Sequence, residues 1–124
     1  MSNPRSCTVQ EFKEDIDTGN AVILDVRTRP EYEARHVPGS ERLPICQLKS
    51  NGAKFSNKAQ KLYVLCEQGT RAQRAALTLV GHCDAELVIV EGGIRAWEAA
   101  GYPLGKRSTN AIFRRRGWGQ ILLA

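Results

Sequence analysis

The sequence predicts an α/β fold with a central, mostly parallel sheet and helices on both of its faces. Three apolar runs rich in β-branched residues, at 21–26, 61–65 and 87–90, are typical of strands buried on both sides. Segments with helical periodicity separate these runs and follow the last of them. Because strands that alternate with helices form βαβ units, we expect the sheet to be parallel.

The chain has the size of one compact domain. It contains 124 residues, of which 42% are hydrophobic and 25% are charged, and these values are ordinary for a soluble globular protein. The formal net charge is +5, but Lys106, Arg107 and residues 114–116 supply five positive charges, and no acid follows them. The rest of the chain is close to neutral, so a nucleic-acid-binding module is not predicted.

The basic residues define a boundary near Gly105. We expect a domain over residues 1–105 and a tail over residues 106–124. The tail combines basic residues with Phe113, Trp118 and an apolar end. Such a segment is expected either to contact a membrane surface or a partner protein, or to pack on the domain as a helix or strap.

Neither a membrane span nor a secretory leader is predicted. No apolar run approaches the roughly 20 residues that cross a bilayer. Residues 1–6 lack the apolar core of a signal peptide, so we expect a cytoplasmic location.

The four cysteines include no Cys-x-x-Cys pair and no histidine cluster, which disfavours zinc and, in a reducing compartment, disulfides. Three are interpreted as small buried hydrophobes, namely Cys7, Cys46 and Cys83.

The first half of the chain contains a capped helix, a buried strand and a shorter helix. Thr8-Val9-Gln10-Glu11 has the form of a capping box, and it begins a helix predicted over residues 9–18 that Gly19 ends. A strand at 21–26 follows, and Pro30 lies early in the first turn of a short helix. After it we predict a turn at 36–39, a short strand at 40–43, an irregular helix or loop at 44–49 and a surface turn at 50–52.

The second half continues the alternation of strand and helix. The strand at 61–65 leads into a loop at 67–70, and a helix begins at Arg71 and ends at Gly81. The apolar face of this helix comprises Ala72, Ala75, Ala76, Leu79 and Val80. We then predict a strand at 87–90, a break at 91–93, a helix at 94–100 that Gly101 closes, and residues 102–104 leaving the domain.

Cys66 is the best candidate for a chemically active residue. It ends the strand at 61–65, a short loop with Gly69 comes next, and a helix then begins. In open α/β sheets, ligands bind beyond the carboxyl ends of the strands. Loop N–H groups can form an anion-binding nest there, the helix N-terminus adds positive potential, and Arg71 adds a permanent charge and a bidentate donor. These features favour the nucleophilic thiolate, and the alternative is a buried cysteine beside a solvated Arg71.

Three ordered blocks resemble the rhodanese family over about residues 8–104. The first comprises Asp25-Val26-Arg27, Glu31-Tyr32 and His36-Val37-Pro38-Gly39-Ser40. The second is the loop Cys66-Glu67-Gln68-Gly69-Thr70-Arg71. The third comprises Glu91-Gly92-Gly93-Ile94-Arg95-Ala96-Trp97 and Gly101-Tyr102-Pro103. Three blocks in order are far more specific than any one of them.

The resemblance implies a rhodanese-like three-layer α/β sandwich and a sulfurtransferase that works by double displacement. Cys66 would attack thiosulfate or a persulfide donor and become a persulfide. A thiol, cyanide or a protein sulfur acceptor would then remove the sulfur. Neither a metal nor an organic cofactor is implied. The loop residues that would bind substrate are Glu67, Gln68, Gly69, Thr70 and Arg71. Asp25 and Arg27 would brace the wall of the site through an ion pair or backbone contacts.

Two other functions remain open. The same fold serves as a non-catalytic module that binds or regulates a protein partner, although inactive relatives commonly lack the cysteine. The related Cdc25-like phosphatases have a loop one residue longer, whereas four residues separate Cys66 from Arg71 in this sequence. The sequence also departs from the family pattern at Arg35, Ser40 and Arg42, which bear on the turn and on strand packing.

Glu67 is the departure that bears on chemistry. Several thiosulfate-active relatives carry a basic residue at this position. An acid whose side chain faces the pocket would repel an anionic donor. Glu67 therefore counts against thiosulfate as the natural donor more than against persulfide chemistry.

The remaining candidates are interpreted as structural. His36 is expected to bond to backbone within its turn and His82 to lie at the surface, so no catalytic histidine is predicted. Ile94 and Trp97 have the helical spacing of core residues. The pair Gly92-Gly93 permits a close turn near the catalytic cysteine.

Overall fold

The computed structural model describes residues 4–19, 21–43, 61–80 and 85–106, which form one sheet with helices around it. The strands are β1 Arg5–Cys7, β2 Val22–Asp25, β3 Glu41–Arg42, β4 Lys61–Leu65 and β5 Glu86–Val90. The helices are α1 Val9–Asp17, α2 Arg29–Ala34, α3 Thr70–Leu79 and α4 Gly93–Ala99. The predicted helices and strands that fall on described residues are all present, with ends that agree to within about one residue.

The five strands are all parallel, in the order β1-β5-β4-β2-β3. The predicted fold class is therefore confirmed. β4 lies at the centre, paired with β2 through Leu24 and Val64 and with β5 through Val64 and Ile89. In a parallel sheet the carboxyl ends of all strands lie at one edge, so Cys66, which follows β4, lies at the middle of that edge.

Alternation along the strands divides the core into two layers. On one face, Leu62 and Val64 of β4 pack against α3 through Ala72, Ala75, Ala76 and Leu79. On the other face, Tyr63 and Leu65 pack with Phe12 of α1 and with Ile94 and Trp97 of α4. Successive strand residues point to opposite faces, which is why a continuous apolar run suits a strand covered on both sides.

The strand β1 was not predicted from the sequence. It has only three residues, and two of them, Arg5 and Ser6, are exposed. The strand forms because β5 offers it a parallel partner, with Arg5 opposite Val88 and Cys7 opposite Val90. A strand this short has no periodicity of its own, so no local pattern indicated it.

Local side-chain bonds begin the first two helices. In α1, the Thr8 side chain accepts from Glu11 N–H at 3.2 Å and the Glu11 carboxylate accepts from Thr8 N–H at 3.2 Å, which confirms the predicted capping box. A second capping box, Thr28 with Glu31, begins α2. The Thr-x-x-Glu pattern that indicates this box begins at Thr28, two residues before Pro30.

Residues 102–104 do not leave the domain, contrary to the sequence prediction. The Tyr102 ring lies 4.9 Å from the Trp97 ring, and Trp97 Nε1 donates to Pro103 O at 2.7 Å. Gly105 forms an isolated antiparallel bridge with His36, with N···O distances of 3.0 and 2.8 Å. Packing against the indole and pairing with backbone keep this segment on the domain, and neither interaction is visible in the local sequence.

Several predictions concern residues outside the described part of the chain. They are the irregular segment at 44–49, the turn at 50–52, the helix end at Gly81, the surface position of His82, the burial of Cys46 and Cys83, and the tail beyond Lys106. Among the described helices, none combines the length and apolar character needed to cross a membrane.

The two leucines of α3 provide a matched test of this packing. Leu79 is fully buried, whereas Leu77 is 69% exposed. Leu79→Ala should lower the free energy of unfolding by about 2–5 kcal/mol because it leaves a cavity between α3 and the sheet. Leu77→Ala should change it by less than about 0.5 kcal/mol. Urea denaturation of both variants measures the difference, and equal effects would contradict the assignment of the two helix faces.

Candidate active site

The thiol of Cys66 lies against backbone N–H groups of the loop and helix that follow it. Its side chain is buried, and its Sγ accepts from Gly69 N–H at 2.9 Å and from Ala72 N–H at 3.3 Å. Gly69 is the N-cap of α3 and Ala72 lies in the first turn, where N–H groups have no partner within the helix. Two N–H groups directed at one atom have the geometry predicted for a nest at the helix N-terminus.

The N-terminus of α4 holds the other side of the loop. Ile94 N–H donates to Cys66 O at 2.9 Å, and Arg95 N–H donates to Glu67 O at 3.2 Å. Since the C=O and N–H of a trans peptide point in opposite directions, this contact turns the N–H groups of Glu67 and Gln68 away from α4. The backbone orientation of the loop is thus determined by a helix about thirty residues later in the chain.

Close approach of α4 to the loop requires glycine at position 93. Gly93 has φ of +60°, and a Cβ there would lie 2.4 Å from Cys66 O and 2.6 Å from Glu67 O. Gly92, with φ of +77°, precedes it. The predicted close turn at this pair is present, and its contact partner is the peptide that follows the candidate nucleophile.

Asp25 and Arg27 form an ion pair at the carboxyl end of β2. Both side chains are fully buried, and Arg27 Nη2 lies 2.9 Å from Asp25 Oδ2. Asp25 Oδ1 also accepts from Arg27 N–H at 3.0 Å. The guanidinium further donates to Arg35 O at 2.7 Å and to Glu67 Oε1 at 3.2 Å. A buried charge is tolerated only when it is paired and bonded in this way.

The Glu67 carboxylate is surrounded by arginines. Besides Arg27, it contacts Arg35 at 2.8 Å and Arg95 at 3.4 Å. The bond from Arg35 is the main reason why the pKa of Glu67 lies below its usual value. The predicted repulsion between Glu67 and an anionic donor is therefore offset by positive charge that the sequence pattern did not reveal.

Arg71 directs its guanidinium to Glu31. The two side chains form a bidentate pair with both N···O distances at 2.7 Å. This bond lowers the pKa of Glu31 from 4.5 to about 2. The sequence suggested that Arg71 donates to the thiolate or the substrate. In the structure, its guanidinium donates to the Glu31 carboxylate instead. Glu31 lies in the matched block Glu31-Tyr32, which is the only signal that pointed to it.

The remaining candidate residues are either exposed at the loop or buried. Gln68 is exposed, and Thr70 is the exposed first residue of α3. His36 is fully buried, and its Nδ1 lies 2.6 Å from Tyr32 O while its ring stacks on the Tyr32 ring at 4.0 Å. The expected contact of His36 with backbone is therefore present, and its partner is Tyr32 O. Within the described residues, no group of three or more His, Cys, Asp or Glu side chains is placed to hold a metal ion.

Cys7 provides an internal contrast to Cys66. Its burial was predicted, its place at the end of β1 was not, and burial raises the pKa of its thiol to about 11. Its neighbours Glu11 and Asp15 act in the same direction. A thiol in such surroundings remains protonated and inert at neutral pH.

Comparison with known proteins finds relatives over most of the chain. The family model described as "Rhodanese-like domain" matches residues 8–100. The thiosulfate sulfurtransferase GlpE of Pseudoalteromonas translucida is 33% identical over 96 residues, which cover 75% of this chain and 88% of that protein. YrkF of Bacillus subtilis, named as a candidate sulfur carrier protein, is 30% identical over 91 residues, and the match covers 73% of this chain but only 49% of YrkF.

Solved structures agree with the sequence matches. A rhodanese-related protein from Thermoplasma volcanium superposes with a TM-score of 0.72 at 30% identity, over 82% of this chain and 97% of that one. A rhodanese-like domain protein from Staphylococcus aureus superposes with a TM-score of 0.72 at 27% identity, over 84% of this chain and 99% of that one.

Substitution of two glycines would test the contact between α4 and the loop. Gly93 and Gly19 both have positive φ, but a Cβ at Gly19 would meet nothing within 4 Å. Gly19→Ala should cost about 1–2 kcal/mol from backbone strain alone. Gly93→Ala should cost about 1–3 kcal/mol more, because its Cβ would collide with backbone carbonyls. Chemical denaturation measures both variants, and an equal loss in the two would show that the close approach is unimportant.

The bond between Glu31 and Arg71 predicts a specific loss of stability in acid. A carboxylate whose pKa falls from 4.5 to about 2 on folding stabilises the protein above pH 4.5, and that stabilisation disappears as the pH falls towards 2. The Glu31 side chain is 32% exposed, so solvent screening reduces the contribution to about 1–2 kcal/mol.

Glu31→Gln should therefore be less stable than the wild type at pH 7, and the difference should shrink as the pH approaches 2. Glu33→Gln is the matched control, since Glu33 is a half-exposed acid of the same helix, 3.7 Å from Arg29. Unfolding free energies measured between pH 7 and pH 2.5 give the comparison. A difference that stays constant over this range would contradict the ion-pair origin.

Proposed function

The chain belongs to the rhodanese-like domain family, and we propose that it is a sulfurtransferase that carries a sulfane sulfur on Cys66. One observation carries the proposal. Cys66 Sγ lies at the carboxyl end of the central strand and accepts from two backbone N–H groups, at 2.9 and 3.3 Å. Such donors favour a sulfur nucleophile and the negatively charged persulfide that it would become.

In the first proposed step, sulfur moves from the donor to the enzyme. The Cys66 thiolate attacks the outer sulfur of thiosulfate or of a persulfide and forms a new S–S bond. The S–S bond of the donor breaks, and sulfite or a thiolate leaves with the electron pair. The sulfur atom keeps its sulfane oxidation state, so no external oxidant is needed.

In the second proposed step, the acceptor removes the outer sulfur. Cyanide or a thiolate attacks the terminal sulfur of the persulfide, and the electron pair of the S–S bond returns to Cys66 as a thiolate. Thiocyanate or an acceptor persulfide leaves. A protein thiol is an equally suitable acceptor, and no metal or organic cofactor takes part in either step.

The other proposed site residues act through position. Asp25 and Arg27 brace the wall of the site, because Arg27 links the end of β2 to Arg35 O and to the Glu67 side chain. Gly69 supplies an N–H to the thiolate, while Gln68 and Thr70 border the loop. Removing one member of the buried pair would leave a charge uncompensated, at a cost of about 3–5 kcal/mol.

Two observations favour sulfur transfer over a phosphatase. Cys66 is 1% exposed, which suits a donor that presents a single terminal sulfur atom better than a bulky phosphate ester. Arg71, which a phosphatase would use to bind phosphate oxygens, is occupied by the Glu31 carboxylate. The non-catalytic binding module, in contrast, predicts that Cys66 gains no sulfur from any donor.

The proposal also covers the extent of the domain, the tail and the cellular compartment. We take residues 1–105 as the domain, since Gly105 is paired with His36 and residues 102–104 pack on the core. Residues 106–124 remain a candidate contact with a partner protein or a membrane surface. A reducing cytoplasm suits the function, because Cys66 must return to a free thiolate after each cycle.

Sulfur loading of Cys66 is the direct test. Protein mixed with thiosulfate or a persulfide should gain the mass of about one sulfur atom, and cyanide should remove it as thiocyanate. Cys66→Ser should abolish both the mass gain and thiocyanate formation. Cys7→Ser should retain both, because Cys7 is a buried thiol whose pKa is raised to about 11. Intact-mass spectrometry and a colorimetric thiocyanate assay report the outcome, and loading that survives in Cys66→Ser would refute the proposal.

A further inference from the structure

We propose that Glu67 determines donor specificity by keeping the surroundings of Cys66 electrically neutral, so that the enzyme prefers a persulfide of a small thiol over the thiosulfate dianion. This inference rests on the proposed sulfur transfer. It identifies the substrate class from the charges that surround the loop, and it concerns the rate of the first step.

The Glu67 carboxylate pairs with three arginines. Its two carboxylate oxygens lie 3.2 Å from Arg27, 2.8 Å from Arg35 and 3.4 Å from Arg95. These arginines come from three different parts of the fold: the end of β2, the C-cap of α2 and the first half of α4. The Glu67 side chain is 20% exposed, so these contacts are only partly screened by water.

The surrounding acids complete the neutralisation. Arg27 is also paired with Asp25 at 2.9 Å, and Arg35 with Glu98 at 3.0 Å. The three arginines around Glu67 and the three carboxylates that contact them therefore cancel in formal charge. On the other side of the loop, Arg71 is held by Glu31. Each of these four guanidinium groups already binds a carboxylate.

Glu67 lies next to the nucleophile in the chain. It directly follows Cys66 at the carboxyl end of β4, and its carboxylate pairs with three arginines at 2.8–3.4 Å. A change of charge at Glu67 will be felt by a charged donor that approaches Cys66.

Neutral surroundings penalise donors in proportion to their charge. A thiosulfate ion carries two negative charges and releases sulfite, which also carries two, so it gains little from arginines that already bind carboxylates. A persulfide of a small thiol carries less charge. The Cys66 thiolate attacks its terminal sulfur, the S–S bond of the donor breaks, and the carrier leaves as a thiolate that takes up a proton from water.

The test compares two donors in single-turnover sulfuration of Cys66. The donors are thiosulfate and the persulfide of N-acetylcysteamine, whose carrier has no charged group. Glu67→Gln keeps the size of the side chain and removes one negative charge. It should raise the second-order rate constant for thiosulfate by about 5-fold and change that for the persulfide by less than about 2-fold. The gain for thiosulfate should largely disappear in about 1 M salt, where screening is strong.

Two further variants control for charge and for folding. Glu86→Gln removes the same charge at the start of β5, at the end of the sheet away from Cys66, where Glu86 pairs with Arg5 at 2.5 Å. It should leave both rates unchanged. Arg95→Gln shifts the charge around the loop in the opposite direction, and it should lower the thiosulfate rate by about 5-fold. Arg95 is 61% exposed, so this variant tests the inference even where Glu67→Gln folds poorly.

The outcomes separate the two proposals. If thiosulfate and persulfide rates change by the same factor in Glu67→Gln and Arg95→Gln, or if the change is insensitive to salt, the role of Glu67 is structural and this inference is wrong. If neither donor loads Cys66 in the wild-type protein, the proposed sulfur transfer itself fails, and the specificity inference fails with it.

Discussion

The site depends above all on the contact between the N-terminus of α4 and the peptide that follows Cys66. Two N–H groups of α4 bond to the carbonyls of Cys66 and Glu67, which orients the loop from outside. The contact is possible only because Gly93 has no Cβ. On the inner side, the N–H groups of Gly69 and Ala72 then meet the sulfur. The groups that contact the sulfur are thus backbone N–H donors.

A second layer of charged side chains surrounds this backbone frame. The buried guanidinium of Arg27 joins the end of β2 to the loop, and Glu67 joins the loop to Arg35 and Arg95. These bonds stiffen the site, because every member would leave an uncompensated charge if the loop moved away. They also set the electrostatic potential that a donor meets. The same contacts therefore carry both the stability of the loop and, by our inference, its choice of substrate.

Most of the fold was predictable because its signals are local. A capping box at Thr8, apolar strands covered on both faces and the apolar face of α3 each require only neighbouring residues. The exceptions depend on distant partners. β1 exists because β5 pairs with it, and residues 102–105 stay on the domain because Trp97 and His36 hold them. Neither strand pairing nor packing against an indole leaves a periodic trace in such short segments.

In the candidate site, too, local features were predictable and contacts between distant residues were not. Residue order alone identified Cys66, its short loop, the helix after it and the glycine pair at 92 and 93, since these features follow from a strand that ends in a tight turn. The charge partners came only with the tertiary structure: Arg71 meets Glu31 across forty residues, and Glu67 meets Arg27 and Arg35 across comparable separations. Ion pairs form between whichever side chains the fold brings within a few ångströms, and the order of residues along the chain does not encode that distance.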